Sequence, residues 1–271
     1  MADASQTSQP AALSGPAVFF LVFLPFALGH YLSSLLRGIN AVLMPSLLAS
    51  VPLTPAQMGL LTSAFFFSFA LVQLPVGIAL DRYGPRRVQL LLMGVAALGV
   101  LLFGQGRSFG DLVLARAVMG LGLGGCFMSA VKAVSTWISP RKLPSVHGYL
   151  IAVGGLGAAS ATIPIRVALH LTDWRGLFVW LAAACAAIGL LIWLLAPRAA
   201  GAAPARKAPT IAALLAVYRD RAFRETISLI LIPHTIFFGI QGLWIGKWLS
   251  DVAGFSDAAV AYLLYLSMAA V

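Results

Sequence analysis

Apolar residues dominate the chain in long runs that short polar breaks separate. The runs lie near 18–48, 57–80, 88–104, 110–138, 147–170, 177–196 and 226–249. As an α-helix, each run is long enough to cross a hydrocarbon core about 30 Å thick. The pattern therefore predicts an all-α polytopic membrane protein with seven complete spans.

An eighth apolar run begins near Ala258 and reaches Val271. As a helix this run is only about 21 Å long, which is too short to cross a bilayer. A half-span would leave the end of the backbone inside lipid, where its polar groups have no partners. We therefore expect the chain to be a fragment of a longer protein.

The composition and the placement of charge support this reading. The chain is 61% hydrophobic and 10% charged, whereas soluble domains carry about 25% charged residues. Its net charge of +10 does not indicate a nucleic-acid partner, because most of the cations lie in alternate loops. By the positive-inside rule these loops and the N-terminus are cytoplasmic. The loop cations are Arg82, Arg86, Arg87, Arg141, Lys142, Arg198, Arg206, Lys207, Arg219, Arg221 and Arg224.

The polar breaks also suggest a division into units. Residues 1–16 form a cytoplasmic tail without Lys or Arg, and residues 17–197 hold six spans. Residues 198–224, rich in Ala and Pro at first and charged later, are typical of a cytoplasmic linker. We expect a second unit to begin within residues 225–271.

Three motifs resemble those of the major facilitator superfamily. The first is the loop Gly77-Ile78-Ala79-Leu80-Asp81-Arg82-Tyr83-Gly84-Pro85-Arg86-Arg87 between the second and third spans. The second is Arg116-Ala117-Val118-Met119-Gly120-Leu121-Gly122 in the fourth span, and the third is Trp174-Arg175-Gly176-Leu177-Phe178 before the sixth. All three stand in the loops and the order that the family shows, so the resemblance covers the whole chain.

The resemblance implies a fold and a mode of action. The fold is a six-helix bundle made of two inverted three-helix repeats, followed here by helix 7 and part of helix 8. The expected function is that of a secondary transporter in the bacterial inner membrane, working by alternating access on a small molecule. Its partners would be this substrate, the lipid bilayer and the missing C-terminal half of the same transporter. The loop motif would act as a conformational latch through Gly77, Asp81, Arg82, Gly84, Arg86 and Arg87.

Four cations fall well inside the predicted spans, where no acid does, whereas Asp111 and Lys247 stand at span ends. Arg37 lies near the bilayer midplane, where a charge is costly unless it faces a cavity or a partner. His30 and Asn40 fall on the same helical face, so we expect these three side chains to contribute to substrate binding. A polar contact within the bundle is the alternative. The other three cations are Arg116, Lys132 and Arg166.

Arg116 and Lys132 are candidates for coupling or structural roles. Arg116 can either extend to the outer surface or, as in the family, pack among neighbouring helices. Lys132 can contact an anion from the cytoplasmic side or reach headgroup phosphates. Gln241 and Trp244 would add the second half's share of the cavity, with polar packing as the alternative. Arg166 lies near the outer end of its span, where its side chain can reach the surface.

The segment Arg37-Gly38-Ile39-Asn40-Ala41-Val42-Leu43-Met44-Pro45 resembles the first helix of the anion:cation symporter branch, in which the arginine binds a carboxylate. Nitrate and nitrite porters are a neighbouring resemblance. Two acids of the branch are replaced here by Leu36 and Leu123, so the usual proton relay is missing. We expect a carrier of a small organic or inorganic anion that needs no metal or cofactor and is not an enzyme. A drug or metabolite exporter and a non-transporting membrane sensor or scaffold are the alternatives.

Overall fold

A computed structural model describes residues 14–197, 216–240 and 244–269. The described residues form twelve main helices, all of them listed here in chain order. They are α1 (Gly15–Gly38), α2 (Asn40–Ser50), α3 (Pro55–Tyr83), α4 (Pro85–Gln105), α5 (Phe109–Leu123), α6 (Cys126–Trp137), α7 (Leu143–Ser160), α8 (Ile163–Leu171), α9 (Trp174–Leu195), α10 (Arg221–Gly239), α11 (Ile245–Asp251) and α12 (Asp257–Ala269). The all-α fold predicted from the sequence is confirmed.

Five apolar helical segments of the described residues are long enough to cross a membrane, with α5 and α6 counted together as Phe109–Trp137, and the count is six if α7 and α8 also form one span. The axes of α7 and α8 differ by 44°, a bend that the sequence pattern did not predict. The predicted seventh span, 226–249, covers parts of α10 and α11 and includes residues 241–243, which lie outside the described ranges. The count of seven complete spans therefore stays a prediction.

Capping residues explain where several spans begin. Thr54 and Gln57 form a capping box at the start of α3, where Pro55 occupies the first turn. Ser108 and Asp111 form the same arrangement at the start of α5. These side chains satisfy backbone N–H groups that have no partner within the helix. These caps therefore define where α3 and α5 begin.

The helices pack closely because small residues stand at their contacts. A Cβ atom built at Gly122 of α5 would lie 2.3 Å from the backbone nitrogen of Ala96 in α4. A Cβ atom built at Gly157 of α7 would lie 2.3 Å from the carbonyl oxygen of Tyr31 in α1. Any larger side chain would push these backbones apart. The small residues of the fourth and fifth spans therefore form packing surfaces.

Two spans contain a local irregularity, at which the backbone stays in the right-handed helical region. The first span changes from α1 to α2 at Ile39, and the fourth changes from α5 to α6 at Gly124 and Gly125. Polar side chains bond to carbonyl groups beside the second irregularity. Ser33 Oγ donates to the Leu123 carbonyl at 3.2 Å, and Gln73 Nε2 donates to the Gly124 carbonyl at 3.0 Å. Neighbouring helices therefore compensate for the irregularity.

Candidate functional site

Arg37 lies at the end of α1, beside the irregularity in the first span. Its side chain is half-buried, and its guanidinium carbon lies 5.4 Å from the centre of the Phe69 ring of α3. This distance is within the range of a cation–π contact. The cation predicted as the substrate ligand therefore faces α3 beside the irregularity in the first span.

Asn40 is the first residue of α2 and also faces α3. Its Nδ2 donates a hydrogen bond to Thr62 Oγ1 at 3.3 Å. Thr62 Oγ1 in turn donates to the Met58 carbonyl at 3.2 Å. Asn40 Oδ1 is buried and accepts no hydrogen bond from the described residues. Arg37 and Asn40 thus meet the same helix, as their spacing predicts.

His30 contacts a different pair of helices. Its side chain is 7% exposed, and its ring centre lies 4.9 Å from that of Phe127 in α6. Its Nε2 atom lies 2.4 Å from the position that a Cβ of Gly154 in α7 would take. The ring therefore fills the space that this glycine leaves between α1 and α7. These contacts favour the packing alternative for His30, and its place in the substrate site stays a prediction.

The second half's expected contribution is only partly described. Gln241 lies outside the described residues. Trp244 stands one residue before α11 and has 52% of its surface exposed. Its role in a cavity therefore stays a prediction as well.

The loop motif forms a sharp turn between α3 and α4. Gly84 has φ of 78°, in the left-handed region that favours glycine, and it ends α3 and begins α4. A Cβ atom at Gly77 would meet no atom of the described residues within 4 Å. Gly84 therefore forms the turn of the loop motif, whereas Gly77 makes no close approach to any described helix.

Asp81 of the loop motif pairs with Lys132 of α6. The Lys132 Nζ atom lies 2.8 Å from Asp81 Oδ1, and the two side chains are 46% and 57% exposed. The sequence indicated an anion or headgroup phosphates as the partner of Lys132, and not this carboxylate. An ion pair as exposed as this contributes little to stability. It is, however, easily broken and formed during a conformational cycle.

Arg86 binds within the bundle, at the end of the sixth span. Its Nε donates to the Trp193 carbonyl at 2.9 Å, and its Nη2 donates to the same oxygen. Its guanidinium carbon lies 4.5 Å from the centre of the Trp193 ring. A cation at a helix C-terminus pairs with carbonyl groups that have no partner within the helix. Of the other two motif arginines, Arg82 lies 5.2 Å from the Tyr83 ring and Arg87 is exposed.

Arg175 makes the matching contact at the opposite end of the same helix pair. Its Nη1 donates to the carbonyl groups of Gly104 at 2.9 Å and of Gly106 at 2.8 Å. An arginine at the start of α4 thus binds the end of α9, and an arginine at the start of α9 binds the end of α4. We call Arg86 and Arg175 the reciprocal arginine clamp. The sequence analysis missed it, although Asp173-Trp174-Arg175-Gly176 weakly repeats Asp81-Arg82-Tyr83-Gly84.

Arg116 is buried among the helices of the bundle. It is 1% exposed, and its Nη1 donates to the Leu36 carbonyl at 3.2 Å. Its guanidinium carbon lies 4.7 Å from the centre of the Phe103 ring. The side chain does not reach the outer surface, so the buried alternative holds. Arg116 therefore supports the backbone next to Arg37 by bonding the residue before it.

The apolar helices, the buried arginines and the loop turn together define a multi-pass α-helical membrane protein. A sequence profile of the major facilitator superfamily matches residues 26–271, and the chain belongs to this family. Members of this family are transporters and not enzymes. The apolar helices of the chain accordingly lie in a lipid bilayer.

The chain is similar in sequence to several transporters, three of which are described here. It is 30% identical over 143 residues to the probable sulfoacetate transporter SauU of Cupriavidus necator, covering 53% of this chain and 33% of that one. It is 32% identical over 128 residues to the probable L-galactonate transporter of Escherichia coli, covering 47% and 28%. It is 36% identical over 84 residues to the nitrate/nitrite transporter NrtP of Picosynechococcus, covering 31% and 16%. The chain thus spans about a third or less of each of these proteins.

Proposed function

We propose that the protein is a secondary transporter that moves a small anion by alternating access, and that Arg37 binds the anion. The observation that carries this proposal is the position of Arg37 beside the irregularity in the first span. Arg37 is half-buried, and its guanidinium carbon lies 5.4 Å from the centre of the Phe69 ring of α3. A charge is retained at such a depth when it has a function.

The second irregularity supports the same place for the site. The first and fourth spans occupy corresponding positions in the two inverted repeats, and each has a local irregularity, at Ile39 and at Gly124. Pairs of discontinuous helices in corresponding positions often mark the binding site of a transporter. The names of the relatives agree in kind, since sulfoacetate, galactonate and nitrate are all anions.

The orientation and the division of the chain complete the proposal. The N-terminus and the 198–224 linker face the cytoplasm of a bacterial inner membrane, because their side carries most of the loop cations. Residues 17–197 form the first bundle, and 225–271 begin the second. The Asp81–Lys132 pair forms in one state of the cycle and breaks in another, so that it acts as the conformational latch.

Uptake by proteoliposomes tests the class of substrate. The protein in its complete form should accumulate or exchange labelled organic or inorganic anions and should leave a lipophilic cationic drug outside. Protein-free liposomes and liposomes with an Arg37→Gln variant are the controls. Transport of the cation without any anion would support an exporter, and the absence of all transport would support a sensor or scaffold. Either result would overturn the proposal.

A further inference from the structure

The orientation of the Asn40 side chain follows from its hydrogen bonds. The Thr62 hydroxyl has one proton, which it donates to the Met58 carbonyl at 3.2 Å. Its oxygen can then only accept from Asn40, so the group at 3.3 Å must be the Asn40 NH₂. The Asn40 carbonyl oxygen therefore points away from Thr62.

This carbonyl oxygen is a buried acceptor without a donor. Asn40 is 7% exposed, and its Oδ1 accepts no hydrogen bond from the described residues. A buried acceptor without a donor lowers the stability of the folded protein. Native structures usually retain one only where another molecule donates a hydrogen bond to it. On either side of it, Arg37 and Thr62 are only half-buried, so both neighbours of Asn40 keep some accessible surface.

We propose that Asn40 Oδ1 accepts a hydrogen bond from a hydroxyl group of the substrate while Arg37 holds its carboxylate, which makes the substrate a hydroxylated organic acid. This inference rests on the proposed function, because it takes Arg37 as the anion ligand. Nitrate has no proton to donate and would face Asn40 Oδ1 with its own acceptor oxygens. A hydroxy acid satisfies the cation and the acceptor together.

The geometry also indicates how the carboxylate and the hydroxyl are placed in the acid. Arg37 contacts Phe69 and Asn40 contacts Thr62, and these two residues of α3 are two helical turns apart. Two turns of helix correspond to about 10 Å. The carboxylate and the hydroxyl therefore lie on different carbons of the acid. An acid with hydroxyl groups along its whole chain, such as gluconate, meets this requirement.

Binding of two acids to the purified, complete protein tests the inference. The probes are gluconate, a six-carbon acid with hydroxyl groups, and hexanoate, which has the same chain without them; nitrate is a third probe. Calorimetry should show that the wild type prefers gluconate to hexanoate and to nitrate by roughly tenfold or more, since these two leave the acceptor unpaired. An equal or stronger affinity for hexanoate or nitrate would overturn the inference without any variant.

An Asn40→Leu variant assigns the preference to this side chain. Removing the acceptor should abolish the preference for gluconate and leave the affinity for hexanoate unchanged or higher. Ser33→Ala, which removes a different buried polar contact of α1, is the matched control and should keep the preference. If Asn40 only joins α1 to α3, Asn40→Leu will lower thermal stability and keep the preference, which would overturn the inference.

Failure of the proposed function is recognised separately. Arg37→Lys should weaken gluconate and hexanoate alike, because both carry the carboxylate. If Arg37→Lys binds both acids normally, the anion site itself is wrongly placed. If Arg37→Lys weakens the binding of both acids while Asn40→Leu keeps the preference for gluconate over hexanoate, only the role of Asn40 is wrong.

Discussion

The reciprocal arginine clamp should stabilise the pair of antiparallel helices α4 and α9 at both membrane surfaces. We expect Arg175→Met to destabilise the protein, because the carbonyl groups of Gly104 and Gly106 lose a charged donor at 2.9 and 2.8 Å. Hydrogen bonds to charged groups contribute about 1.5–3 kcal/mol each. Arg175 is only half-buried, so solvent reduces this contribution, and about 2 kcal/mol is expected for the two bonds together.

Thermal unfolding of the purified protein in detergent measures this effect. A loss of about 2 kcal/mol should lower the melting temperature by about 4–8 °C for a protein of this size. Arg107→Met is the matched control, since Arg107 is exposed in the same outer region and its side chain has no described hydrogen bond. The reasoning is refuted if Arg175→Met and Arg107→Met melt at the same temperature.

The same measurement on Arg86 tests the reciprocity of the clamp. Arg86→Met should lower the melting temperature by a similar amount, whereas Arg87→Met at the exposed neighbouring position should not. The two ends of the clamp lie at opposite membrane surfaces and share no partner. Their effects should therefore add in the double variant.

Two further variants test the latch and the packing. Asp81→Asn removes the charge that pairs with Lys132, so transport should fall while insertion into the membrane stays normal. Cysteine labelling should show a shifted balance between the two cavity faces. Unchanged labelling would count against the latch. Gly122→Val should strongly reduce the yield of folded protein, because its Cβ would lie 2.3 Å from the Ala96 nitrogen, and Gly94→Ala, at a position with nothing within 4 Å, should fold normally. Equal yields from these last two variants would contradict the packing described for α4 and α5.

The sequence was most informative about features with a strong local cause. Runs of apolar residues placed the second span at 57–80, and α3 is Pro55–Tyr83, because a stretch near 20 apolar residues has few alternatives to a membrane helix. The turn at Gly84 was predictable for a similar reason. Its glycine stands between two helices and takes the left-handed conformation that other residues avoid.

Contacts between distant parts of the chain were less predictable. Lys132 lies 51 residues from Asp81, and helical periodicity gives the face of a side chain without saying which helix stands opposite. His30 shows the same limit, since it shares a face with Arg37 and yet packs against Gly154 and Phe127. The bend between α7 and α8 left no clear signal in an apolar run that continues through it.

The role of Arg37 as the anion ligand is tested most directly by binding to an Arg37→Lys variant. Lysine keeps the charge but cannot hold a carboxylate through two parallel hydrogen bonds, which should cost about 2–3 kcal/mol in a largely desolvated site. Affinity for the anion should fall roughly thirty-fold or more, with little change in melting temperature. Arg166→Lys, a half-buried arginine of α8, is the control and should bind normally. Normal affinity in Arg37→Lys, with or without a loss of stability, would contradict the account.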